Sequence, residues 1–368
     1  MDPFLALSRQ GLAPLARAGY FAPGPARRPR RVVLLAGHWL GDTYWASQVV
    51  PALRERLGPD AELWVATKAR ARALWEGLVP ASRVLVLPHL VSDRLREGLS
   101  LRGLWADARR LRWLEADLLL DLTSNPYSAQ VAFLARPSRA YGCDAHRLSW
   151  LYSQPSEPHP AGAHLATRPW RALAQAFGEA PPSEVLPRGL APPLPPARET
   201  LAALGLGEEA ALAVLAPGAG WASKRWPAER FAALGERLRA EGLEVLALGS
   251  AAERALLERV AGRSYPGLSL ARTRLLLARA RLVVANDSGL GHLAAGEGTP
   301  VLSLFNSTNP GLYRPLGPRV RVLRSGCAHE PRGAEVHCHG QAEFPCPASC
   351  WDGLDLERAW SACQELLA

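Results

Sequence analysis

The first segment whose residue types suggest chemistry is residues 37–42, GHWLGD, which follow an apolar run at residues 32–36. Such a run predicts a buried strand, and the glycines allow the backbone to turn tightly beside a ligand. Asp42 falls at or near the start of the next predicted helix, where Asp is a preferred N-cap residue. The same carboxylate could accept a proton from a substrate hydroxyl, with His38 assisting. The sequence leaves both roles open for Asp42.

A second segment, residues 216–227, reads APGAGWASKRWP and places two cations directly before a predicted helix. Its glycines are flexible, Ser223 offers a hydroxyl, and Pro227 suits the first position of a helix. The spacing is not that of a Walker phosphate loop. Lys224 and Arg225 could nevertheless neutralise a diphosphate and stabilise it as it leaves, although a solvated cationic turn would have the same sequence.

A third segment, residues 285–292, reads ANDSGLGH and joins an apolar strand to a helix. The backbone N–H groups at such a helix start form an anion site, which the helix dipole strengthens. Ser288 could add a hydroxyl donor. Asp287 would repel a phosphate and is better suited to sugar hydroxyls, while His292 could contact the phosphate or brace Asp287. A fourth polar loop, residues 305–310, could also bind a ligand, but an ordinary Asn-Pro turn explains it equally well.

Apolar strands and helices alternate along the chain between these segments. The predicted strands are residues 32–36, 63–66, 84–87, 118–122, 211–216, 244–248, 282–285 and 301–305. The main predicted helices are residues 43–57, 170–177, 228–241, 252–260, 273–280, 291–298 and 356–367. This alternation indicates α/β structure with parallel, doubly wound sheets, which bind ligands beyond the carboxyl ends of their strands. All four loops are predicted to lie there.

A proline-rich stretch interrupts the alternation, because residues 151–200 contain eleven prolines. Such a stretch is typical of an interdomain linker. We therefore predict two Rossmann-like domains that face a central cleft, for which the chain is long enough. The predicted parts are a basic N-terminal arm at 1–30, an N-terminal domain at 31–180, a linker at 181–200, a C-terminal domain at 201–350 and a C-terminal helix at 351–368.

The composition restricts the class of protein. The formal net charge is +9, and all basic residues except Lys68 and Lys224 are arginines. A basic surface suits a phosphorylated substrate or an anionic membrane face, and the arm is one candidate for membrane contact. Nucleic acid is disfavoured because no helix-turn-helix, RNP-type or zinc-finger pattern occurs. With no run near the ~20 apolar residues of a spanning helix and no signal-peptide pattern, we expect a cytoplasmic protein, with peripheral contact at the inner membrane face as an option.

Three of these motifs together resemble glycosyltransferase family 9, the bacterial heptosyltransferases of lipopolysaccharide core synthesis. Gly41-Asp42 is similar to the family's Gly-Asp pair at the start of helix one. KRWP at 224–227 is similar to its Lys-x-Trp-Pro segment, and DSGLGH at 287–292 to its Asp-Ser/Thr-Gly-x-x-His segment. The motifs also follow the family's order and approximate separations, from about Arg31 to the C-terminus.

The resemblance implies a GT-B fold and an inverting transfer of heptose from ADP-heptose to a lipopolysaccharide core or other lipid-linked or cell-surface glycan, without a required metal or other cofactor. By position, Asp42 would be the general base and Lys224 the phosphate contact. The implied donor contacts are Ser223, Arg225, Glu253, Asp287, Ser288, Gly289, Leu290 and His292, with Glu253 contacting the nucleotide ribose.

The chain departs from the family pattern mainly in its N-terminal half. Residues 38–40, HWL, replace small polar residues, and residues 123–126, TSNP, replace the usual Gln-Gly. His38 and Asn125 are therefore the candidate acceptor contacts, and the acceptor is the least transferable feature. Asn306 replaces a usual Gly in the other half, so the resemblance does not by itself establish heptose as the sugar.

A cysteine-rich stretch before the last helix is a separate candidate. It contains Cys327, Cys338, Cys346 and Cys350, together with His329, His337 and His339. The paired CxxC spacing of zinc modules is absent. Free thiols, a structural disulfide and a structural zinc site all stay open, with reduced thiols the default in the cytoplasm.

Two other functions fit part of the pattern. A GT-B transferase or an epimerase acting on a UDP-sugar would use similar loops, and so would a non-catalytic nucleotide- or glycan-binding protein. Asp42 and Lys224 favour an enzyme, since loss of catalysis commonly removes such groups. The sequence leaves the donor, acceptor, linkage and oligomeric state open.

Overall fold

The computed structural model divides the chain into two compact units, Met1–Val185 and Leu186–Ala368. The residues that it describes are 28–37, 39–90, 100–186, 194–325 and 351–368. The cysteine-rich stretch, His38 and residues 1–27 of the predicted arm lie outside them. Within the described ranges, no helix is long and apolar enough to cross a membrane.

The N-terminal unit is built on a parallel sheet. Its described strands are β1 Arg31–Ala36, β2 Glu62–Thr67, β3 Val84–Val86, β4 Leu118–Asp121 and β5 Arg139–Gly142, in the order β3-β2-β1-β4-β5. Its described helices are α1 Leu40–Ser47, α2 Val49–Leu57, α3 Arg72–Trp75, α4 Leu101–Arg112, α5 Pro126–Ala135 and α6 Arg168–Phe177.

Strand β1 lies at the centre of this sheet, and its side chains alternate between two apolar layers. Val32 and Leu34 pack in one buried cluster with residues of α2 and α6, whereas Val33 and Leu35 pack in another with residues of α4 and α5. A strand buried on both faces must be apolar throughout, which explains its VVLLA sequence. The carboxyl end of β1 leads into the short loop before α1, the helix that carries Asp42.

The C-terminal unit has a second parallel sheet. Its described strands are β6 Leu212–Ala216, β7 Glu244–Gly249, β8 Arg263–Pro266, β9 Ala280–Asn286, β10 Val301–Phe305 and β11 Val320–Arg324, in the order β11-β10-β9-β6-β7-β8. Its described helices are α7 Ala197–Ala203, α8 Ala228–Ala240, α9 Arg254–Val260, α10 Leu270–Arg279, α11 Gly289–Gly296, α12 Pro310–Tyr313 and α13 Leu356–Leu367.

The structure confirms the predicted strands and most helices, with one correction. The helix predicted over residues 43–57 is wrong as a single element, because α1 ends at Ser47 and α2 begins at Val49. Pro51 explains the break, since it has no N–H to donate to the carbonyl of Ser47. The boundaries predicted for the arm, the linker and the C-terminal helix stay predictions, although helix α7 already begins at Ala197.

Candidate functional site

A buried ion pair lies at the carboxyl edge of the C-terminal sheet. Lys224 ends a 3₁₀ turn, Ala222–Lys224, and its Nζ lies 2.5 Å from Oδ2 of Asp287. The two side chains are only 11% and 6% exposed. Oδ2 also accepts a 2.6 Å hydrogen bond from Thr308 Oγ1. The sequence segments after β6, β9 and β10 therefore meet at one carboxylate.

The ammonium of Lys224 also lies over aromatic rings, 4.2 Å from the ring centre of Trp221 and 5.9 Å from that of Tyr313. Cation–π contacts of this kind stabilise a partly desolvated cation. An ammonium has three N–H donors, and Asp287 accounts for one of them among the described residues. The remaining donors suit an anionic ligand.

Asn286, the last residue of β9, holds the loop that carries Lys224. Its Oδ1 accepts a 3.1 Å hydrogen bond from the backbone N–H of Trp226, and its Nδ2 donates to the carbonyl of Pro217 at 2.7 Å. The side chain is fully buried. One amide thus joins both ends of the loop to β9, which fixes the position of Lys224 relative to Asp287.

The loop after β10 supports the same segment from its other side. Asn306 Nδ2 donates to the carbonyl of Ser223 at 3.3 Å, and Ser223 Oγ lies 3.3 Å from Ser307 Oγ. Asn306 is buried. Ser223, a predicted donor contact, is therefore tied to this loop in the structure, and Asn306 gains a positioning role that the sequence did not reveal.

The start of helix α11 carries an uncapped set of backbone donors. Ser288 occupies the N-cap position, but its side chain forms no capping hydrogen bond. Its buried Oγ has no hydrogen-bond partner within the described part of the chain. Gly289 and Leu290 open the helix and His292 is buried in its second turn. N–H groups at a helix start favour an anion.

Glu253 covers the carboxyl ends of β6 and β7. Its Oε2 accepts 2.8 Å hydrogen bonds from the N–H and the hydroxyl of Ser250. A Cβ placed on Gly218 would lie 2.1 Å from Glu253 Oε1, and one on Gly249 would lie 2.9 Å from Oε2. Gly218 therefore leaves the space that the carboxylate occupies. The carboxylate lies beside the loop that carries Lys224, and its contact with the nucleotide ribose stays a prediction.

Arg225 is more exposed to solvent than Lys224. It is exposed, and its guanidinium donates to the carbonyl of Ala219 at 2.9 and 3.2 Å. These bonds close the Gly-rich turn on itself. The predicted phosphate contact of Arg225 stays a prediction, since it would have to come from the other guanidinium N–H groups or follow a rearrangement.

Residues 351–354, before the last helix, hold the end of the loop that carries Lys224. Trp226, buried beside Phe231, donates its indole N–H to the carbonyl of Leu354 at 2.9 Å. Arg230 donates to the carbonyls of Trp351 and Leu354 at 2.7 and 2.8 Å. The tryptophan after Lys224-Arg225 is therefore a structural anchor, which accounts for an aromatic residue at this position.

Asp42 lies in the N-terminal unit, beyond the carboxyl end of β1. It is the third residue of α1 and half-buried, while the N-cap position belongs to Trp39. Asp42 is therefore not the N-cap residue, and its carboxylate lies at the positive end of the helix dipole.

Two threonines fix the loop that precedes Asp42. The N–H of Gly37 donates to Thr123 Oγ1 at 2.7 Å, and Thr123 donates to the carbonyl of Leu35 at 3.3 Å. Thr67 donates to the carbonyl of Ala36 at 2.6 Å. The ends of β2 and β4 thus hold the end of β1, a role for Thr67 and Thr123 that sequence reasoning missed.

The second predicted acceptor contact, Asn125, caps helix α5. Its Oδ1 accepts hydrogen bonds from the N–H groups of Tyr127 and Ser128, both at 2.9 Å, and its own backbone N–H donates to Ser128 Oγ at 2.9 Å. An acceptor contact would therefore fall to its amide nitrogen. His38 lies outside the described residues, so neither acceptor prediction is settled.

A buried carboxyl group contacts the turn at residues 123–126. Asp121, at the end of β4, accepts from the N–H groups of Thr123 and Ser124 at 2.9 Å and from the hydroxyl of Tyr152 at 2.7 Å. Burial raises the pKa of Asp121, and burial together with this carboxyl raises the pKa of Tyr152. The three hydrogen bonds shape the turn at residues 123–126.

The structure thus brings together, in one unit, the predicted donor residues Ser223, Lys224, Asp287 and Ser288, with Glu253 on the segment after β7 and His292 in helix α11. Asp42 belongs to the other unit. No group of three or more potential metal ligands occurs within the described residues. The cysteine-rich stretch lies outside them, so its alternatives stay open. Of the six cysteines, Cys143 and Cys363 are described, and both are buried free thiols.

Comparison with known proteins adds independent information. A model of the family described as glycosyltransferase family 9 (heptosyltransferase) matches residues 104–340. Lipopolysaccharide heptosyltransferase 1 of Pseudomonas aeruginosa is 33% identical over 243 residues, which cover 61% of this chain and 66% of that protein.

Solved structures with the same fold cover nearly all of the chain. The glycosyl transferase family 9 structure from Veillonella parvula matches with a TM-score of 0.70 and 20% identity, over 92% of this chain and 97% of the other. The E. coli ADP-heptose lps heptosyltransferase II matches with a TM-score of 0.69 and 22% identity, over 92% and 98%. These similarities confirm the predicted class, two parallel-sheet α/β domains of GT-B type.

Proposed function

Because the chain belongs to glycosyltransferase family 9, we propose that it transfers heptose from ADP-heptose to the core of a lipopolysaccharide or a related lipid-linked glycan, with inversion at the anomeric carbon. The names of its relatives support heptose as the sugar and ADP as the nucleotide. The observation that carries the proposal is the buried pair of Lys224 and Asp287 beside the uncapped start of α11.

In the proposed donor site, Lys224 and the N–H groups at the start of α11 bind the diphosphate. Both supply positive charge that is already in place when the bond to the sugar breaks, and preorganised charge of this kind is usually a large catalytic contribution. Ser288 Oγ would donate to a phosphate oxygen. Since these groups stabilise the leaving diphosphate, the proposed reaction requires no metal ion.

Asp287 and Glu253 have a different role in the proposal. A carboxylate accepts hydrogen bonds from sugar hydroxyls, whereas it would repel a phosphate. Glu253, over Gly218 and Gly249, would accept from the ribose, and Asp287 would orient Lys224 while its second oxygen accepts from a sugar hydroxyl. The site therefore separates hydroxyl recognition from phosphate recognition.

Asp42 is the proposed general base. An inverting transfer requires the acceptor hydroxyl to lose its proton as the diphosphate leaves from the opposite face of the sugar, and a positioned carboxylate can accept that proton. The threonine bonds at Leu35, Ala36 and Gly37 hold its loop. We place the enzyme in the cytoplasm, where nucleotide sugars are made, in contact with a membrane that holds the acceptor.

A donor panel tests this proposal. The protein would be incubated with ADP-, UDP- and GDP-sugars and a heptose-deficient lipopolysaccharide extract, with and without EDTA, and the released nucleotide and the modified acceptor would be followed by mass spectrometry. We expect ADP release, a heptosylated acceptor and no effect of EDTA. Preference for a UDP-sugar would instead support the UDP-sugar alternative. Nucleotide binding without turnover on any extract would support a non-catalytic binding protein.

A further inference from the structure

Helix α4 of the N-terminal unit presents large apolar side chains to solvent. Leu101, Trp105 and Trp113, which is the C-cap residue, are 72%, 57% and 81% exposed. At 100° per residue the three side chains fall within one 120° sector of the helix surface. Two exposed tryptophans on one helix leave a substantial apolar area in water, which marks a binding surface rather than an ordinary exterior.

Arginines share this sector with the apolar side chains. Arg102, Arg109 and Arg112 are exposed and lie at spacings that place them between Leu101 and Trp113 around the helix. Among the described residues none of the three forms an ion pair with a carboxylate. This arrangement, which we call the α4 face, combines exposed apolar side chains with arginines that form no ion pair within the described residues.

The opposite side of α4 is mainly apolar and packs into the N-terminal unit, which leaves the α4 face in contact with solvent. Leu104 and Leu111 are buried in one apolar cluster with residues of the sheet and α5, and Ala108 is also buried. The one acidic residue of α4, Asp107, is also buried and accepts a 3.1 Å hydrogen bond from Tyr127. The helix is thus anchored by one side, and its only negative charge points away from the exposed side.

We propose that the α4 face binds the surface of an anionic phospholipid bilayer. Tryptophan rings favour the boundary between headgroups and acyl chains, and arginines there are attracted to anionic headgroups. A second copy of this chain fits less well, since a two-fold contact between α4 faces would bring arginines together. The proposal rests on the proposed function in one respect, because a lipid-anchored acceptor gives an enzyme reason to bind a membrane.

Vesicle sedimentation with the full chain tests the α4 face without any sugar substrate. Vesicles of phosphatidylcholine with about a third phosphatidylglycerol would be compared with phosphatidylcholine alone. We expect the wild type to bind mainly the anionic vesicles, and salt to weaken the binding. The combined variant R102Q, R109Q and R112Q should lower the partition coefficient at least ~10-fold, because each arginine near an anionic surface adds to binding. The combined variant W105S and W113S should also lower it, including at high salt.

Three comparisons decide the result. A matched charge control, R272Q, R279Q and R281Q, removes three exposed arginines from the other unit and should bind nearly as wild type. A loss equal to that of the α4 variants would overturn the proposal in favour of net charge. A second comparison uses a chain that lacks residues 1–27. If this chain no longer binds anionic vesicles while the α4 variants still bind them, membrane binding belongs to the arm. Dimerisation in sedimentation equilibrium that the α4 variants abolish, with vesicle binding unchanged, would assign the face to a second copy.

Turnover on a detergent-solubilised acceptor separates this inference from the proposed function. The α4 variants should keep wild-type kcat in detergent and lose rate only on acceptor embedded in vesicles. If the wild type binds anionic vesicles through α4 but transfers no sugar, the membrane surface stands and the proposed function fails. Loss of kcat in detergent as well would show that these substitutions disturb the fold and overturn the assignment to membrane binding.

Discussion

The ammonium of Lys224 lies 2.5 Å from the carboxylate of Asp287, and Thr308 donates to the same carboxylate oxygen at 2.6 Å. The carboxylate therefore holds two loops at once, and the ammonium is oriented before any ligand arrives. Removal of one partner from a buried ion pair leaves an uncompensated charge, which typically costs about 3–5 kcal/mol. Effects on catalysis at this pair must accordingly be separated from effects on stability.

Replacement of Lys224 by Met tests the leaving-group role. We expect kcat to fall by about 100- to 1000-fold, because the charge that stabilises the departing diphosphate is gone. Lys224→Met should also lower the free energy of unfolding. The double variant Lys224→Met/Asp287→Asn removes both charges and should recover part of that stability, measured by urea unfolding, while kcat stays low. Recovery of kcat in the double variant would show that the pair is only structural.

Replacement of Asp42 by Asn tests the general base. The side chain keeps its shape but cannot take a proton, so kcat should fall by about 100- to 10,000-fold. Asp42 is half-buried, and we expect the free energy of unfolding to change little. Asp60→Asn, at an exposed turn of the same unit, is the matched control. Turnover of the Asp42 variant within a few-fold of wild type would remove it from the mechanism.

Two glycines of one loop provide a paired test of Glu253. A Cβ at Gly218 would lie 2.1 Å from Glu253 Oε1, whereas a Cβ at Gly220 meets nothing within 4 Å. Gly218→Ala should therefore displace the carboxylate and weaken ADP binding, measured by calorimetry, by about 1–2 kcal/mol. Gly220→Ala should bind ADP as the wild type does. Equal affinities for the two variants would contradict a nucleotide contact at Glu253.

Asn286 can be tested by exchange of its amide for a carboxylate. Asn286→Asp can still accept from Trp226 but cannot donate to the carbonyl of Pro217, so a buried carbonyl loses its partner. We expect the free energy of unfolding to fall by about 1–3 kcal/mol and ADP affinity to fall with it. Asn309 caps α12 by accepting from Gly311, and Asn309→Asp keeps an acceptor at that cap. This control should retain wild-type stability, and a comparable loss there would undermine the assignment to Asn286.

His146 should make stability depend on pH. Burial lowers its pKa from the usual 6.5 to about 4, and its Nδ1 accepts from the N–H of Leu148 at 3.2 Å, which requires that nitrogen to be unprotonated. Between these two pKa values the unfolded chain binds more protons than the native one. The contribution of His146 to the free energy of unfolding is therefore fully present above pH 6.5 and is lost as the pH drops from 6.5 toward 4. Since the ring is only partly buried, we expect a contribution of about 1 kcal/mol.

Urea unfolding of the wild type and of His146→Gln at pH 4.5 and pH 7.5 measures this contribution as the difference between the two pH dependences. The variant should lose less stability at the lower pH. An identical loss in both proteins would mean that His146 titrates alike in the folded and unfolded chains.

Local pattern predicted the parts of this molecule that depend on neighbours in sequence. The apolar runs of β1, β6 and β9 and the loops after them were readable, because a buried parallel strand must be apolar and its ligand loop follows directly. The support of the Lys224 loop by Asn286 and of Asp287 by Thr308 cannot be read from the sequence, because it depends on which strands become neighbours in the sheet. The edge strands β5, β8 and β11 carry polar or charged residues and gave no strong apolar run.

Asp42 and Asn125 show how helix starts take up polar residues that follow a strand. The sequence predicts Asp42 at or near the N-cap, and the structure makes it the third residue of α1, because the start of a helix depends on backbone geometry that spacing alone does not define. Asn125 uses its side-chain oxygen in the cap of α5, and its contact with the acceptor stays a prediction. Polar residues after a strand serve the turn as readily as a ligand.

The most direct test is transfer itself, measured on one acceptor with one donor. Purified wild-type protein, Asp42→Asn and Lys224→Met would each be incubated with ADP-heptose and heptose-deficient lipopolysaccharide, and the acceptor analysed by mass spectrometry. We predict that the wild type adds one heptosyl residue with release of an equal amount of ADP. Both variants should still bind their substrates but should transfer heptose at least about 100-fold more slowly than the wild type. An unmodified acceptor with wild-type protein, or equal transfer by all three proteins, would contradict the account.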